Sequence, residues 1–375
     1  MLDLEFDQEQ ELLRQTVRDV LQRHCGLDVV RAMEDDPVGY PPELWSQFGQ
    51  LDLIGLLLPE EYGGSGMSLL EGVALYEELG RALAPVPHFV SSVMAGGVLV
   101  AAGSDDQKGR WLRAVASGEV ILTPAWLEPE NGFTARGVEA RAETTGEGFS
   151  LSGLKRHVAF ASSAARLVVL ARTGDGDDDV DLFLVDPSSP GVSMRQQFSI
   201  ASDTQYEVAF SEVALTEADR IGTAGSGWDT WQSVLEPALV LLAAQAVGGA
   251  RYALEITTQY AKDRQQFNKP LGAFQALAHY LADAVTALDG AEQLVHEAAW
   301  AGATGRSLSS LAPQAKLFAC STFRDVTAMA QQMFGGIGFT LDFDIQLYFR
   351  RAKVQQLMWA NDRVLEESVA ASLLD

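Results

Sequence analysis

The chain has 375 residues, 47% of them hydrophobic and 21% charged, an ordinary globular composition in a chain too long for one core. Its formal net charge of −24 argues against nucleic-acid partners and anionic membranes, because both need a basic surface. The two cysteines, Cys25 and Cys320, are too few for a disulfide framework. The acidic N-terminus is unlike a signal peptide, and the apolar run over 238–244 is too short to span a membrane. We therefore expect a cytoplasmic protein with no nucleic-acid or membrane partner.

Residues 1–120 predict a helical domain. Glycine and proline clusters divide this region into segments with helical periodicity, and further helices are expected over 69–79 and 89–101. The first helix carries an apolar stripe formed by Leu12, Leu13, Val17, Val20 and Leu21.

Residues 121–225 predict a β-domain, because the period of the hydrophobic pattern changes from that of a helix to that of a strand. Short alternating or wholly apolar segments are separated by turn residues, as in a series of hairpins. The expected strands lie over 138–142, 149–151, 167–171, 180–185 and 208–213.

Residues 226–375 predict a bundle of helices. Pro237 is placed like a proline at the first position of a helix, and a helix from there to about Lys262 would be roughly 40 Å long. Residues 238–250 are apolar on almost every face, which predicts that this helix is buried among others. The order along the chain is helical, β and helical, an α+β fold.

Two motifs carry the strongest functional signal. The first is the stretch 260–271, Tyr-Ala-Lys-Asp-Arg-Gln-Gln-Phe-Asn-Lys-Pro-Leu, followed by Phe274-Gln275; the second is 332–340, Gln-Met-Phe-Gly-Gly-Ile-Gly-Phe-Thr. In this order and spacing they resemble the signatures of the acyl-CoA dehydrogenase family. The resemblance covers nearly the whole chain and implies an N-terminal helical domain, a middle β-domain, a C-terminal four-helix bundle and FAD as cofactor.

In that family FAD lies across a dimer interface, so that one subunit holds the flavin ring and its neighbour holds the pyrophosphate and adenine. The resemblance implies that Arg264 grips the pyrophosphate, since a planar guanidinium pairs naturally with phosphate oxygens. Asn268 departs from the usual glycine but suits a left-handed turn. Gly335-Gly336 alone would predict an ordinary helix C-cap, whereas beside the Arg264 motif it predicts close approach of the cofactor. The other implied cofactor residues are Gln266, Phe267, Gln275 and Gln332.

The catalytic base of the family is missing. It is usually a glutamate shortly after the run matched here by residues 351–353, and Trp359 stands at that position. Some members carry the base near the start of the long buried helix, where this chain has Ala238. Glu236 is close, but two residues along a helix rotate a side chain by roughly 200°. Just ahead of Pro237 it also suits a helix N-terminus, so Glu236 is only a weak candidate.

The residues expected around the flavin ring and the substrate are also replaced. Glu128-Pro129 survives from a longer family motif, but His157 and Ala159 stand where a tryptophan and a threonine face the flavin. Asn361 replaces a threonine that helps hold the neighbouring flavin, and Leu239 replaces a common arginine at the substrate end. The chain therefore keeps the adenosine half of a shared site and has lost the other half.

Three functional hypotheses follow. The leading one is a subunit of a hetero-oligomeric acyl-CoA dehydrogenase that completes the FAD site of a related, base-carrying partner. It resembles the short, base-lacking subunit of bacterial α2β2 enzymes that act on steroid side-chain CoA thioesters. The second is a homomeric flavoenzyme with a relocated base, Glu236 or Asp362. The third is a non-catalytic scaffold or CoA-binding protein. Electron-transfer flavoprotein is the oxidant that the resemblance implies.

Glu292 and His296 lie one helical turn apart, but neither spacing of a known metal motif is present. We expect them to be a surface pair and predict no metal site.

Overall fold

A computed structural model describes residue 4 and residues 6–129, 133–176 and 179–374. The described residues fall into two compact units. One contains Met1–Val30, Ser68–Ala84 and Leu239–Asp375, and the other contains Arg31–Met67 and Pro85–Ala238. The predicted α+β architecture is confirmed: a helical region, a β-region and a second helical region follow one another along the chain.

The helices before the sheet are α1 (Gln8–His24), α2 (Leu27–Ala32), α3 (Pro42–Gln50), α4 (Leu69–Ala82), α5 (Gly96–Ala102) and α6 (Asp105–Ala116), with a π-helix at Phe89–Ala95 leading into α5. Asp7 caps α1 in a capping box with Gln10. The buried stripe of α1 contains Val17, Val20 and Leu21. Leu12 is 67% exposed, so its assignment to that stripe was wrong. It lies about 100° around the helix from Leu13, outside the face that repeats every three to four residues.

The middle region is a mixed sheet of eight strands in the order β6-β7-β3-β2-β4-β5-β8, with β1 paired in parallel to β4. The strands are β1 (Leu122–Ala125), β2 (Arg141–Thr145), β3 (Gly148–Ala159), β4 (Arg166–Arg172), β5 (Val180–Val185), β6 (Val192–Gln197), β7 (Gln205–Leu215) and β8 (Arg220–Ile221). The core on one face includes Ala142, Leu151, Val158, Leu167, Val169, Phe183 and Val208. Alternating positions of the longer strands supply it, as the period of two requires.

The C-terminal helices are α7 (Gly227–Asp263), α8 (Gln275–Ala303), α9 (Leu311–Phe334), α10 (Ile345–Leu357) and α11 (Asp362–Leu374). A short hairpin, β9 (Gln265–Gln266) with β10 (Lys269–Pro270), joins α7 to α8. Within the first unit α9 packs on α8, α10 and α11, and α4 packs on α1 and α8. Gly80 and Gly248 allow α4 and α7 to approach closely, because a Cβ at either would lie within 2 Å of a carbonyl oxygen of the other helix.

The predicted start of α7 at Pro237 was wrong. The helix begins ten residues earlier, at Gly227, and Pro237 lies inside it. A proline removes only one backbone donor, and a long buried helix tolerates that loss because packing rather than helix propensity stabilises it. α7 is long and apolar enough to cross a membrane by composition, yet 78% of its apolar window is buried inside the protein. That burial is typical of a core helix.

Candidate cofactor-binding site

The first motif forms the end of α7 and the tight hairpin after it. Phe267 and Asn268 are the two loop residues between β9 and β10, and both have positive φ, 52° and 63°. This is the pattern of a type I′ turn, in which asparagine or glycine is the usual choice. A left-handed phenylalanine costs about 1–2 kcal/mol. Phe267 is 86% exposed and contacts the ring of Phe274 edge-on, with centroids 6.2 Å apart, so most of its surface is free of packing within the chain.

Arg264 lies at the base of this hairpin on a fixed backbone. Its N–H donates to the carbonyl of Tyr260 at 2.8 Å, and its own carbonyl accepts from the N–H of Leu271 at 2.9 Å. The side chain is exposed and makes no hydrogen bond or ion pair with any residue that the structure describes. An exposed guanidinium on a fixed backbone, without a partner among the described residues, is well suited to hold an anionic group in a protein of net charge −24.

The second motif ends α9. Gly335 is the C-cap of that helix, with φ 63° and ψ −139°, a conformation that strongly favours glycine. The C-cap interpretation therefore applies to Gly335. A Cβ added at Gly335 or Gly336 would meet no atom of the described chain within 4 Å. Packing within the chain thus gives no reason for glycine at 336, and the space beside it is available to another group.

The two motifs meet at one end of the helical bundle. The ring of Tyr260, in the last turn of α7, packs against the ring of Phe334, the last residue of α9, with centroids 4.3 Å apart. Phe343 packs on both rings. Arg264 follows Tyr260 by four residues and Gly335 follows Phe334 by one. Gln275, the first residue of α8, is exposed.

A groove of about 650 Å³ opens between the end of α9 and the start of α10. Of the predicted residues it contains Gln332 and Gly335. The remaining lining residues were not predicted: Ala328, Gln331, Phe339, Leu341, Gln346, Phe349 and Arg350. Phe339 is 74% exposed. It belongs to the second motif, and this was the sequence signal that could have identified it as a lining residue. An open groove with apolar walls and amide side chains is suitable for a ring with polar edges, such as a nucleobase.

The residue at the position predicted for the base is buried and cannot accept a proton. Trp359 is 9% exposed and has a φ of 69°, in the turn between α10 and α11. This turn is fixed by Lys316, a fully buried lysine of α9, whose Nζ donates to the carbonyls of Ala360 at 2.7 Å and Gln355 at 3.3 Å. Burial lowers the pKa of Lys316. The tryptophan is therefore held in a strained conformation by its surroundings.

The other candidate positions for a base, Ala238, Glu236 and Asp362, are no better suited to that role. Ala238 is fully buried. Glu236 lies nine residues after the start of α7, so stabilisation by a helix N-terminus does not apply to it. It is half-buried, and burial raises the pKa of its carboxyl group. Asp362 begins α11, and its Oδ2 accepts a hydrogen bond from Gln356 at 2.5 Å.

On the β-sheet, His157 stands at a bulge where one extra residue of β3 opposes β7. Its φ is 54°, and its Nδ1 lies 2.6 Å from Oε1 of Gln205. The amide nitrogen of Gln205 donates to Asp203, so Oε1 is the acceptor and Nδ1 of His157 carries the proton. The ring is therefore fixed by the chain's own hydrogen bonds. Residues 130–132 of the neighbouring motif lie outside the described residues.

Comparison with known proteins identifies the family of the chain. Models of the acyl-CoA dehydrogenase N-terminal, middle and C-terminal domains match residues 7–119, 124–213 and 225–374. The acyl-CoA dehydrogenase IpdE2 of Mycolicibacterium smegmatis is 30% identical over 92% of this chain and 93% of its own length. A solved steroid ACAD variant, Tcur3481–Tcur3483, is 30% identical with a TM-score of 0.86 over 97% of each chain. The ChsE4–ChsE5 complex of Mycobacterium tuberculosis is 25% identical with a TM-score of 0.90, covering 100% of this chain and 99% of that one.

The chain belongs to the acyl-CoA dehydrogenase family, an enzyme family whose cofactor is FAD. The residues at the end of the bundle fit the phosphate and adenosine portions of that cofactor. Arg264 is a cation without a partner in the part of the chain that the structure describes, Phe267 presents an exposed aromatic face, and the space beside Gly335 and Gly336 is open to a close neighbour.

Replacing Phe267 with glycine should have opposite effects on the stability of the protein and on its binding of FAD. Glycine removes the left-handed strain, so we expect Phe267→Gly to raise the free energy of unfolding by up to about 1 kcal/mol. If the exposed ring contacts the adenosine, the same change should weaken FAD binding by roughly tenfold. Urea unfolding and FAD titration of the assembled protein measure the two effects. A variant with weaker FAD binding and unchanged or lower stability would refute the strain argument.

Proposed function

We propose that this protein is a subunit of a hetero-oligomeric acyl-CoA dehydrogenase. It contributes Arg264, Phe267, Gln332 and Gly336 to an FAD whose flavin ring and catalytic base lie on a related partner chain. When bound, the flavin accepts a hydride from the acyl thioester, and the base removes the neighbouring proton. This chain's part is to bind and orient the nucleotide end of the cofactor.

The observation that carries the proposal is the contrast between two regions of the chain. At the end of the bundle, an unpaired arginine, an exposed strained aromatic residue and two accessible glycines are kept together. At the two positions that the family resemblance assigns to the base, the chain has a buried tryptophan and a buried alanine. Loss of a positioned base typically costs about 10² to 10⁴ in rate, so a homomeric enzyme would need a replacement.

Two similar structures support a heteromeric assembly and a steroid-derived substrate. One is described as the ChsE4–ChsE5 complex and the other as the Tcur3481–Tcur3483 steroid ACAD. We therefore propose a related dehydrogenase chain as partner, in an α2β2 assembly, and a steroid side-chain acyl-CoA as substrate. Electron-transfer flavoprotein is proposed as the oxidant and the cytoplasm as the location; the latter rests on the low cysteine content and acidic composition.

The amount of FAD bound by the isolated chain tests this proposal. We expect the chain expressed alone to contain little flavin, because half a cofactor site gives weak affinity. Co-expression with the gene of a partner dehydrogenase should restore about one FAD per two chains, measured from visible absorbance. One FAD per chain in the isolated protein would show that the flavin half is intact. The search for a base would then begin at Glu236, whose pKa burial raises.

A further inference from the structure

His296 and Glu292 form part of a buried cluster of charges, and the expectation of a surface pair was wrong for His296. The imidazole of His296, on α8, is buried. Its Nε2 lies 3.0 Å from Oε1 of Glu77 on α4, which is also buried. Its Nδ1 lies 2.9 Å from the carbonyl oxygen of Leu4, in the segment before α1. Glu292 is engaged by Arg251 of α7 at 2.5 Å.

Both ring nitrogens of His296 face oxygen atoms that accept hydrogen bonds. A neutral imidazole has only one N–H, so it can satisfy one of these partners and must present a lone pair to the other. An imidazolium donates to both. The doubly protonated ring is therefore the form that satisfies the buried Glu77 carboxylate and the Leu4 carbonyl together.

The charged groups near the ring favour the doubly protonated form of His296. Glu77, Glu292 and Glu11 supply three negative charges, while Arg14 lies 2.8 Å from Glu11 and 3.8 Å from Glu77, and Arg251 pairs with Glu292. Two arginines and a protonated His296 balance the three carboxylates. A divalent metal ion on Glu77, Glu292 and His296 would require a neutral imidazole and would leave the cluster with a net positive charge. The cluster is therefore better explained by a proton than by a metal.

The N-terminal segment contacts the same ring through a second residue. Phe6 packs on His296 with ring centroids 4.7 Å apart, and the guanidinium of Arg14 lies 5.4 Å from the centre of the Phe6 ring. Asp7, the next residue, caps α1 by accepting the N–H groups of Glu9 and Gln10. Leu4 and Phe6, ahead of α1, thus contact the same histidine.

We propose that His296 is a proton-dependent latch whose doubly protonated ring fastens the segment around Leu4 and Phe6 to α4 and α8. Burial by itself would lower the pKa of His296, but the hydrogen bond and charge of Glu77, with the Leu4 carbonyl and Glu292, together raise it. A histidine whose pKa is higher in the folded state stabilises most below its unfolded value, near 6.5. That contribution is lost as the pH rises through the folded value. The latch therefore holds below about pH 6.5 and releases as the pH rises through the folded value.

The latch can be tested by ¹⁵N-histidine NMR and amide hydrogen exchange on the full chain, which has five histidines. At pH 6 both ring nitrogens of His296 should carry protons. As the ring titrates, the protection factors of the Glu9, Gln10 and Glu11 amides should fall at least about tenfold, the effect of losing one charge-assisted hydrogen bond. His296→Gln presents one donating nitrogen and one accepting oxygen at every pH and cannot become charged, so its protection should be low and independent of pH. His279→Gln, at an exposed position on α8, should behave like the unchanged protein.

Further measurements keep the proposal falsifiable if His296→Gln does not fold. Glu77→Gln removes the facing carboxylate and should lower the pH at which His296 titrates. A single ring proton on His296 at pH 6, or protection that does not change with pH in the unaltered protein, would overturn the latch. So would stoichiometric binding of zinc chloride that shifts the His296 resonances, because it would identify the cluster as a metal site.

Discussion

Arg264→Ala should remove most of the FAD from the complex that this chain forms with its partner. The guanidinium is exposed and unpaired within the described chain, and backbone hydrogen bonds hold the main chain on both sides of it, so the mutation breaks no internal contact. Loss of a charge-assisted, bidentate contact to a phosphate costs about 3 kcal/mol, or roughly a hundredfold in dissociation constant. FAD content after purification and the dissociation constant from flavin titration measure the effect.

Two variants serve as controls for this loss. Arg264→Lys keeps the charge but lacks the planar fork, so its affinity should fall between those of the native protein and the alanine variant. Arg363→Ala removes an arginine that is also exposed and that pairs with Glu367 of its own helix, so flavin content should not change. An Arg264→Ala complex with full flavin occupancy would refute the assignment of the half-site.

Lys155→Met should be the most destabilising single change in the β-domain. Lys155 on β3 is fully buried, and its Nζ lies 2.5 Å from Oε1 of Glu128, which is also buried. The Glu128 carboxylate accepts the backbone N–H groups of Glu139 and Ala140 as well. Methionine would fill the space of the lysine stem but leave the carboxylate buried without its cation. Breaking one side of such a pair costs about 3–5 kcal/mol, which should lower the urea midpoint strongly.

A double variant distinguishes loss of charge pairing from loss of packing. Lys155→Met combined with Glu128→Gln removes both charges while an amide oxygen can still accept the two backbone N–H groups, so much of the lost stability should return. Lys108→Met, in a half-exposed lysine of α6, should change the midpoint little. If the double variant were no more stable than Lys155→Met, the charge of Glu128 would not be the cause.

Helix α7 shows which structural features of this protein can be predicted from sequence patterns and which cannot. The all-round apolar composition of 238–250 correctly predicted a buried helix, because burial follows from which side chains avoid water. Its start was wrong, since Pro237 matches the preference for the first helical position but lies ten residues inside the helix. A local preference of this kind is worth a few kcal/mol at most, and packing of the surrounding helix overrides it.

The sequence by itself determined the family and the order of helical and β regions, because long motifs and hydrophobic periods are written along the chain. It also predicted, through the family resemblance, that Trp359 and Ala238 stand at the positions of a base. Only the tertiary structure determined which residues are in contact with one another. It brought Arg264 and Gly335 to one end of the bundle through Tyr260 and Phe334, opened the groove beside Phe339, and buried His296 between Glu77 and Leu4. These contacts join residues up to 292 positions apart, and such contacts depend on how helices pack rather than on any local pattern.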